Sequence, residues 1–149
     1  MNERETSADT GTEPLLPRWF LGGCHCGGSR FRVMVRRFEA LDCNCSVCSK
    51  KGFLHLIVPE LDFEALQGHE QLSTYRFNTG TALHMFCPTC GIHPYYRPRS
   101  HPDHWDINVR CLDHFAVDHF AIKPFDGRNW ESNAPAIQAQ SDRNKGAST

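Results

Sequence analysis

The sequence predicts a mainly β domain built from many short strands. Short runs alternate apolar and polar side chains, as residues 30–35 do, which is typical of a half-buried strand. Turn-forming residues interrupt these runs; Asn78-Thr79-Gly80 lies between two β-rich runs and predicts a hairpin. No long stretch has helical periodicity, and no internal repeat is present.

The packed part of the chain is expected to begin at the apolar run of residues 19–21. Residues 61–66 fit either a strand or one helical turn, and Gly68 marks a turn. The further extended segments are expected, in chain order, at residues 30–35, 53–58, 72–77, 81–86, 92–96 and 105–109, and residues 121–130 fit a last short extended or turn region.

A chain of 149 residues has room for one ordinary domain. Residues 1–17 are polar and acidic and end at two prolines, and residues 133–149 contain little that could be buried. We therefore expect a disordered N-terminal arm over 1–17, one folded domain over 18–132 and a disordered C-terminal tail over 133–149.

The charge balance argues against several classes of partner. The net charge is −1 and the basic residues are scattered, so nucleic-acid binding is not expected. No apolar run approaches the length of a membrane span, and the N-terminus lacks the basic start and apolar stretch of a secretion signal. We therefore expect a cytoplasmic protein without a membrane partner. The sequence does not determine the oligomeric state.

Eight cysteines are the most informative feature of the composition. In a reducing compartment thiols persist, and short cysteine spacings then indicate metal binding rather than disulfides. In an oxidising compartment the same eight residues could form four bridges. Seven of them fall into three groups: Cys24 and Cys26; Cys43, Cys45 and Cys48; Cys87 and Cys90.

The two pairs of cysteines can be read as halves of one closed zinc site. Four thiolates joined from two distant hairpins would staple the domain. In that reading the glycines around Cys24 and Cys26 permit the bend that brings alternate residues onto one metal. Pro88 and Gly91 suit a tight turn that directs Cys87 and Cys90 to the same point.

Cys43, Cys45 and Cys48 form a second set that is one ligand short of a tetrahedron. The fourth position would then be open to water or to a substrate. Alternatively Cys111 is the missing ligand and both zinc ions are structural, although its strand-like surroundings are more typical of a buried apolar residue. Three histidines in apolar strands are interpreted as core or face residues rather than ligands: His55, His84 and His93.

The order of these motifs resembles the glutathione-dependent formaldehyde-activating enzyme family, which includes the centromere protein V branch. The resemblance runs from about Trp19 to Glu131. It rests on residues 23–27 (GCHCG), 30–31 (RF), 43–48 (CNCSVC) and 86–91 (FCPTCG). Residues 94–100 and 125–131 resemble the centromere protein V branch more than the typical bacterial enzyme.

The resemblance implies an Mss4-like β-tent of short antiparallel strands with two zinc ions. The family's structural site corresponds to Cys24, Cys26, Cys87 and Cys90, and its catalytic site to Cys43, Cys45 and Cys48. The implied co-substrates are glutathione and a small aldehyde.

An open zinc in the second set suggests a particular chemistry. A thiol that enters the fourth position loses its proton and could add to a small aldehyde, giving S-hydroxymethylglutathione from formaldehyde. The reverse reaction makes the protein a carbon–sulfur lyase. Because three thiolates already donate to the metal, activation of water for hydrolysis is disfavoured.

Glutathione carries two carboxylates, so its binding site needs cations. Arg97 and Arg99 flank Pro98 and are the predicted carboxylate ligands. A second hypothesis makes the protein a non-catalytic zinc module that acts through a protein partner. Cysteine variants would separate the two, since a catalytic cluster can lose turnover without loss of the fold.

Overall fold

The computed structural model describes residues 14–129 and Pro135. The expected arm over 1–17 and tail over 133–149 lie almost wholly outside these residues, so the domain boundaries stay predictions. Within the described part no helix has both the length and the apolar character needed to cross a membrane.

Short strands dominate the described chain, which confirms the mainly β class. The strands are β1 (Arg18–Gly23), β2 (Arg30–Val35), β3 (Glu39–Cys43), β4 (Leu54–Pro59), β5 (Phe63–Gln67), β6 (Ser73–Tyr75), β7 (His84–Phe86), β8 (Tyr95–Tyr96), β9 (His104–Asn108) and β10 (Ala121–Phe125). The α-helix α1 spans Ser46–Lys51. Short 3₁₀ segments lie at Glu60–Asp62, His69–Gln71, Val109–Cys111, Asp113–His119 and Gly127–Asn129.

The strands form three sheets. A three-stranded sheet has the order β1-β2-β5, and a five-stranded sheet has the order β10-β3-β4-β9-β8. The predicted hairpin around Asn78-Thr79-Gly80 is confirmed, because β6 and β7 pair antiparallel as the third sheet. Every pairing is antiparallel except that of β10 with β3, which is parallel and brings a distant part of the chain beside Cys43.

Other expectations from the sequence are met in part. The run of residues 61–66, which left strand and helical turn open, contains both: a 3₁₀ turn precedes β5. The extended run expected at 92–96 is reduced to the two residues of β8. Strand β3 and helix α1 were not predicted from the sequence, and they carry the three-cysteine set.

Strands β4 and β9, which are neighbours inside the five-stranded sheet, are buried on both faces. One face of β4 and β9 packs into the main core through Leu54, Leu56 and Ile107. On the other face Ile57 joins a smaller cluster with Leu41, Cys43, Cys48 and Phe125. This second face of the sheet is the floor on which the three-cysteine set lies.

Candidate metal centres and the adjoining cavity

Two groups of cysteine sulfurs converge in the described chain. The first, which we call the four-cysteine cluster, consists of Cys24, Cys26, Cys87 and Cys90, whose Sγ atoms lie within 4.8 Å of one another. Cys24 follows the end of β1 and Cys87 follows β7. Gly91, at φ +79°, closes the turn by donating its backbone N–H to the carbonyl of Cys87 at 2.8 Å. The turn predicted from Pro88 and Gly91 is therefore formed.

The spacing of these sulfurs fits a tetrahedral metal. The Sγ atom of Cys26 lies 3.7 Å from that of Cys24 and 3.7 Å from that of Cys87. Metal–sulfur bonds of about 2.3 Å in a tetrahedron give sulfur–sulfur edges of about 3.8 Å. A disulfide would need about 2.05 Å, and all eight cysteines are free. The donor set therefore fits zinc.

The second group, the three-cysteine cluster, consists of Cys43, Cys45 and Cys48, also with all Sγ atoms within 4.8 Å of one another. Cys43 ends β3, Cys45 is the N-cap of α1, and Cys48 lies inside that helix. The N-cap function is performed by sulfur: the Cys45 Sγ accepts the backbone N–H of Cys48 at 3.4 Å. The helix therefore forms over residues that look like a loop in the sequence.

The three thiols cannot all ionise without a cation. Hydrogen bonds from the thiols of Cys43 and Cys48 lower the pKa of Cys45 far below its ordinary value. The pKa values of its two partners change in the opposite direction. Hydrogen bonding with Cys45 raises the pKa of Cys43 to about 11, and hydrogen bonding with Cys43 and Cys45 raises the pKa of Cys48 still further. A dication removes this conflict, because a thiol that coordinates a metal is deprotonated. The cluster therefore has the donor chemistry of a zinc site.

No fourth cysteine or histidine joins this cluster among residues 14–129. Cys111 lies elsewhere: its Sγ is 3.9 Å from the carbonyl oxygen of His93, and the charges that act on it belong to Cys24 and Cys90 of the other cluster. Burial raises the pKa of Cys111 to about 12. The arrangement with Cys111 as fourth ligand of the three-cysteine cluster is therefore not the one observed.

The chain that follows β10 holds the loop of the three-cysteine cluster in place. Asn44 donates its backbone N–H to the carbonyl of Phe125 at 3.2 Å, and its side chain bonds Asp126 and the backbone of Arg128. Gly127 is buried so close that a Cβ atom there would lie 2.4 Å from the Cys43 Sγ. Residues 125–128 therefore act as a clasp over the cluster, which we call the Asn44 clasp.

A cavity of about 300 Å³ adjoins the three-cysteine cluster. All three cysteines line it, together with aromatic, charged and small polar side chains. The chemically relevant members of the lining are His55, Phe77, His84, Tyr96, Arg99, Ser100 and Asp106. A second, more open hollow of about 540 Å³ shares Ser46, Val47 and Phe77 with the first and adds Lys50 and Lys51.

A buried acid–base pair forms part of the cavity floor. The Nδ1 atom of His55 on β4 lies 2.7 Å from a carboxylate oxygen of Asp106 on β9. Tyr96 on β8 is opposite Asp106 in the sheet. Burial raises the pKa of Tyr96 well above its ordinary value, and the negative charge of Asp106 adds to the effect. His55 was interpreted from the sequence as a core or face residue, because only the pairing of β4, β9 and β8 brings it together with Asp106 and Tyr96.

A second polar group lies at the wall between the two hollows. The Nζ atom of Lys51 is 3.2 Å from Nδ1 of His84 and packs over the rings of Phe53 and Tyr96. Burial, with the charge of Lys51, lowers the pKa of His84 to about 4, so its imidazole is neutral near pH 7 and accepts the hydrogen bond. Burial also lowers the pKa of Lys51.

The two arginines predicted to bind carboxylates lie in different places. Arg99 lines the cavity. Arg97 is engaged elsewhere: its guanidinium group bonds Glu60 and the backbone carbonyl of His104, each at 3.0 Å, and stacks over the ring of Trp105. Arg99 therefore lies at the cavity that the three-cysteine cluster lines, whereas Arg97 packs against Trp105 and pairs with Glu60.

A family model and a solved protein structure match most of this chain. The family model described as "Glutathione-dependent formaldehyde-activating enzyme" matches residues 20–128, which include both cysteine clusters. The crystal structure of a Rhodobacter sphaeroides protein is similar at 33% sequence identity and a TM-score of 0.63. The similarity covers 70% of this chain and 97% of that protein.

Proposed function

Because this chain belongs to the glutathione-dependent formaldehyde-activating enzyme family, we propose that it joins a glutathione-type thiol reversibly to a small aldehyde. With formaldehyde the product is the S-hydroxymethyl hemithioacetal, R–S–CH₂–OH. In the reverse direction the protein cleaves a carbon–sulfur bond and is a carbon–sulfur lyase.

The observation that carries this proposal is the three-cysteine cluster beside the cavity. Three sulfurs within 4.8 Å of one another can hold a zinc ion and leave one corner of the tetrahedron for an outside ligand. The cavity that borders the same sulfurs offers about 300 Å³ for that ligand. We assign Cys43, Cys45 and Cys48 as the ligands of the catalytic zinc.

When bound there, zinc supplies a soft acceptor at which an incoming thiol ionises. The chain's own residues then bind and orient the two reactants. Tyr96 and Phe77 provide apolar walls, and helix α1 keeps two of the sulfurs at fixed positions. The confined cavity holds the small aldehyde next to the sulfur, which replaces an encounter in solution by a local one.

Recognition of the thiol is assigned to cations on two sides of the cluster. Glutathione carries carboxylates near its two ends and sulfur in the middle. Arg99 lines the cavity on one side, and Lys50 lines the neighbouring hollow on the other. We propose that each takes one carboxylate, with the guanidinium fork of Arg99 providing the more directional contact.

The four-cysteine cluster is assigned a structural role. It joins the end of β1 to the turn after β7 and has four ligands, so it has no position for a substrate. Both clusters need reduced thiols, and we therefore place the protein in the cytoplasm.

Exchange NMR with zinc-loaded protein tests the proposal. Glutathione and formaldehyde form their adduct spontaneously, and a catalyst increases the rate of exchange between free and adduct signals without changing the equilibrium. We expect the wild-type protein to increase that rate and Cys45→Ser to return it to the spontaneous value with the fold retained. Cys111→Ser is the matched control, because it removes a thiol outside both clusters.

A wild-type protein that leaves the exchange rate at its spontaneous value would overturn the enzyme assignment. If Cys45→Ser also unfolded the domain as severely as Cys87→Ser, the three-cysteine cluster would be structural. The zinc module that acts through a protein partner would then be the better description.

A further inference from the structure

A histidine–aspartate pair forms part of the floor of the cavity that the cysteines line. His55 and Asp106 are 5% and 1% exposed, respectively, and the His55 Nδ1 is 2.7 Å from the Asp106 carboxylate. They belong to neighbouring antiparallel strands, in which Ile57 is opposite Asp106 and Asn108 is opposite His55. The sheet therefore fixes the pair from both sides.

The pair has a defined protonation pattern. An ionised carboxylate only accepts hydrogen bonds, so the Nδ1 atom of His55 must carry the proton that Asp106 accepts. This tautomer makes Nε2 the basic nitrogen of the ring. Asp106 thus holds the imidazole in the form that can take a proton at Nε2.

Packing alone does not account for a polar pair at this position. Burying a carboxylate is costly, and apolar residues of similar volume are often as stabilising as a buried pair. The opposite face of the same two strands shows the alternative, since Leu54, Leu56 and Ile107 fill the main core there. On the cavity side of these strands, by contrast, His55 and Asp106 line the same cavity as the three sulfurs. Ionisable groups buried in such a cleft are typical of functional sites.

We propose that His55 is the proton-transfer residue of the thiol–aldehyde reaction and that Asp106 positions it. This inference rests on the proposed function. The thiol S–H bond breaks and its proton passes to Nε2 of His55. The sulfur electron pair forms the S–C bond while the carbonyl π pair moves to oxygen, and the imidazolium returns the proton to that oxygen. No other oxidant, reductant or proton source is required, and the reverse sequence cleaves the adduct.

The first test compares two histidine variants by exchange NMR on zinc-loaded protein. His55→Gln removes the base, and His104→Gln is the matched control. His104 is also buried, and its Nδ1 lies 2.9 Å from Asp103, but it does not line the cavity. General acid–base catalysis contributes about 10²–10⁴-fold, so we expect His55→Gln to slow the catalysed exchange at least about 100-fold. His104→Gln should remain within about threefold of wild type.

Binding must be measured on the same variants to exclude a purely structural role. We expect His55→Gln to keep its zinc content and to bind glutathione, measured by calorimetry, within about threefold of wild type. Asp106→Asn should lower the rate at least about tenfold, and the double variant should be no slower than His55→Gln, because the two residues act as one unit. Additive losses in the double variant would contradict the pairing.

NMR of wild-type protein with nitrogen-labelled histidine gives a readout that needs neither turnover nor a folded variant. Adding glutathione should move the His55 nitrogen signals toward those of an imidazolium, because the site gains negative charge and the thiol gives up a proton. Unchanged His55 signals on saturation with glutathione, or a His55→Gln variant as fast as wild type, would overturn the role of His55 while leaving the proposed function intact. A wild-type protein without catalysis would overturn both.

Discussion

Replacing Gly127 by alanine tests whether the Asn44 clasp controls the three-cysteine cluster. The added Cβ atom would lie 2.4 Å from the Cys43 Sγ and 3.1 Å from the Cys45 Cβ. Ordinary contacts begin near 3.4 Å, so the sulfur or the clasp must move by about 1 Å. Both sides resist, because hydrogen bonds join Asn44 to Phe125, Asp126 and Arg128.

The expected effect follows from the tolerance of a metal site. Zinc–sulfur distances are held within about 0.2 Å, so a displacement of about 1 Å removes Cys43 from the ligand set. Overpacking of this kind also costs about 1–3 kcal/mol of stability. We therefore expect Gly127→Ala to release one zinc ion to a chelator much faster than wild type and to lose catalysed exchange, while the second zinc ion is released at the wild-type rate.

Chelator competition followed by a colorimetric metal indicator measures both release phases. Gly28→Ala is the matched control, since its Cβ would lie at an ordinary 3.5 Å from the sulfur of Cys26. If Gly127→Ala retained both zinc ions with wild-type release kinetics, the added Cβ atom would not displace Cys43, and the predicted steric effect would be refuted.

Three further predictions concern stability and reactivity. Asp62→Asn should cost about 1–3 kcal/mol in urea denaturation, because it leaves the partly buried Arg36 without the carboxylate that it contacts at 2.9 and 3.1 Å; Arg32→Gln, at an exposed pair, should cost at most about 1 kcal/mol. Because the pKa of His84 is lowered from an ordinary 6.5 to about 4 in the folded protein, the unfolded state binds more protons between these two pH values. The free energy of unfolding should therefore decrease as the pH falls from 6.5 toward 4, and His84→Gln should make this pH dependence less steep. Equal slopes for variant and wild type would contradict the lowered pKa of His84. Because burial raises the pKa of Cys111 to about 12, this thiol should stay unalkylated by iodoacetamide at pH 8 in the zinc-loaded protein, as read by mass spectrometry; rapid modification would contradict the raised pKa.

Local sequence signals were sufficient for the fold class and for the membership of the cysteine clusters. Alternation over residues 30–35 and the Asn78-Thr79-Gly80 turn correspond to β2 and to the β6–β7 hairpin. The glycines around Cys24 and Cys26 allow the bend that their spacing requires, so local sequence predicts the grouping of the four sulfurs.

Features created by distant pairing were not predictable from the sequence. His55 and Asp106 are 51 positions apart, and only the register of β4 on β9 places them in contact. The parallel pairing of β10 with β3 brings Gly127 onto Cys43. The different positions of the two arginines also depend on tertiary contacts that the sequence does not reveal. Arg97 pairs with Glu60 and stacks on Trp105, whereas Arg99 lines the cavity.

Cadmium NMR tests the central claim most directly, because the cadmium shift depends on the number of thiolate ligands. Protein in which cadmium replaces zinc should give one signal from the four-cysteine cluster and a second from the three-cysteine cluster. Glutathione should move the second signal to the position typical of four thiolates and leave the first signal unchanged. Two signals that both stay fixed at saturating glutathione would show that the three-cysteine cluster has no corner open to an outside thiol.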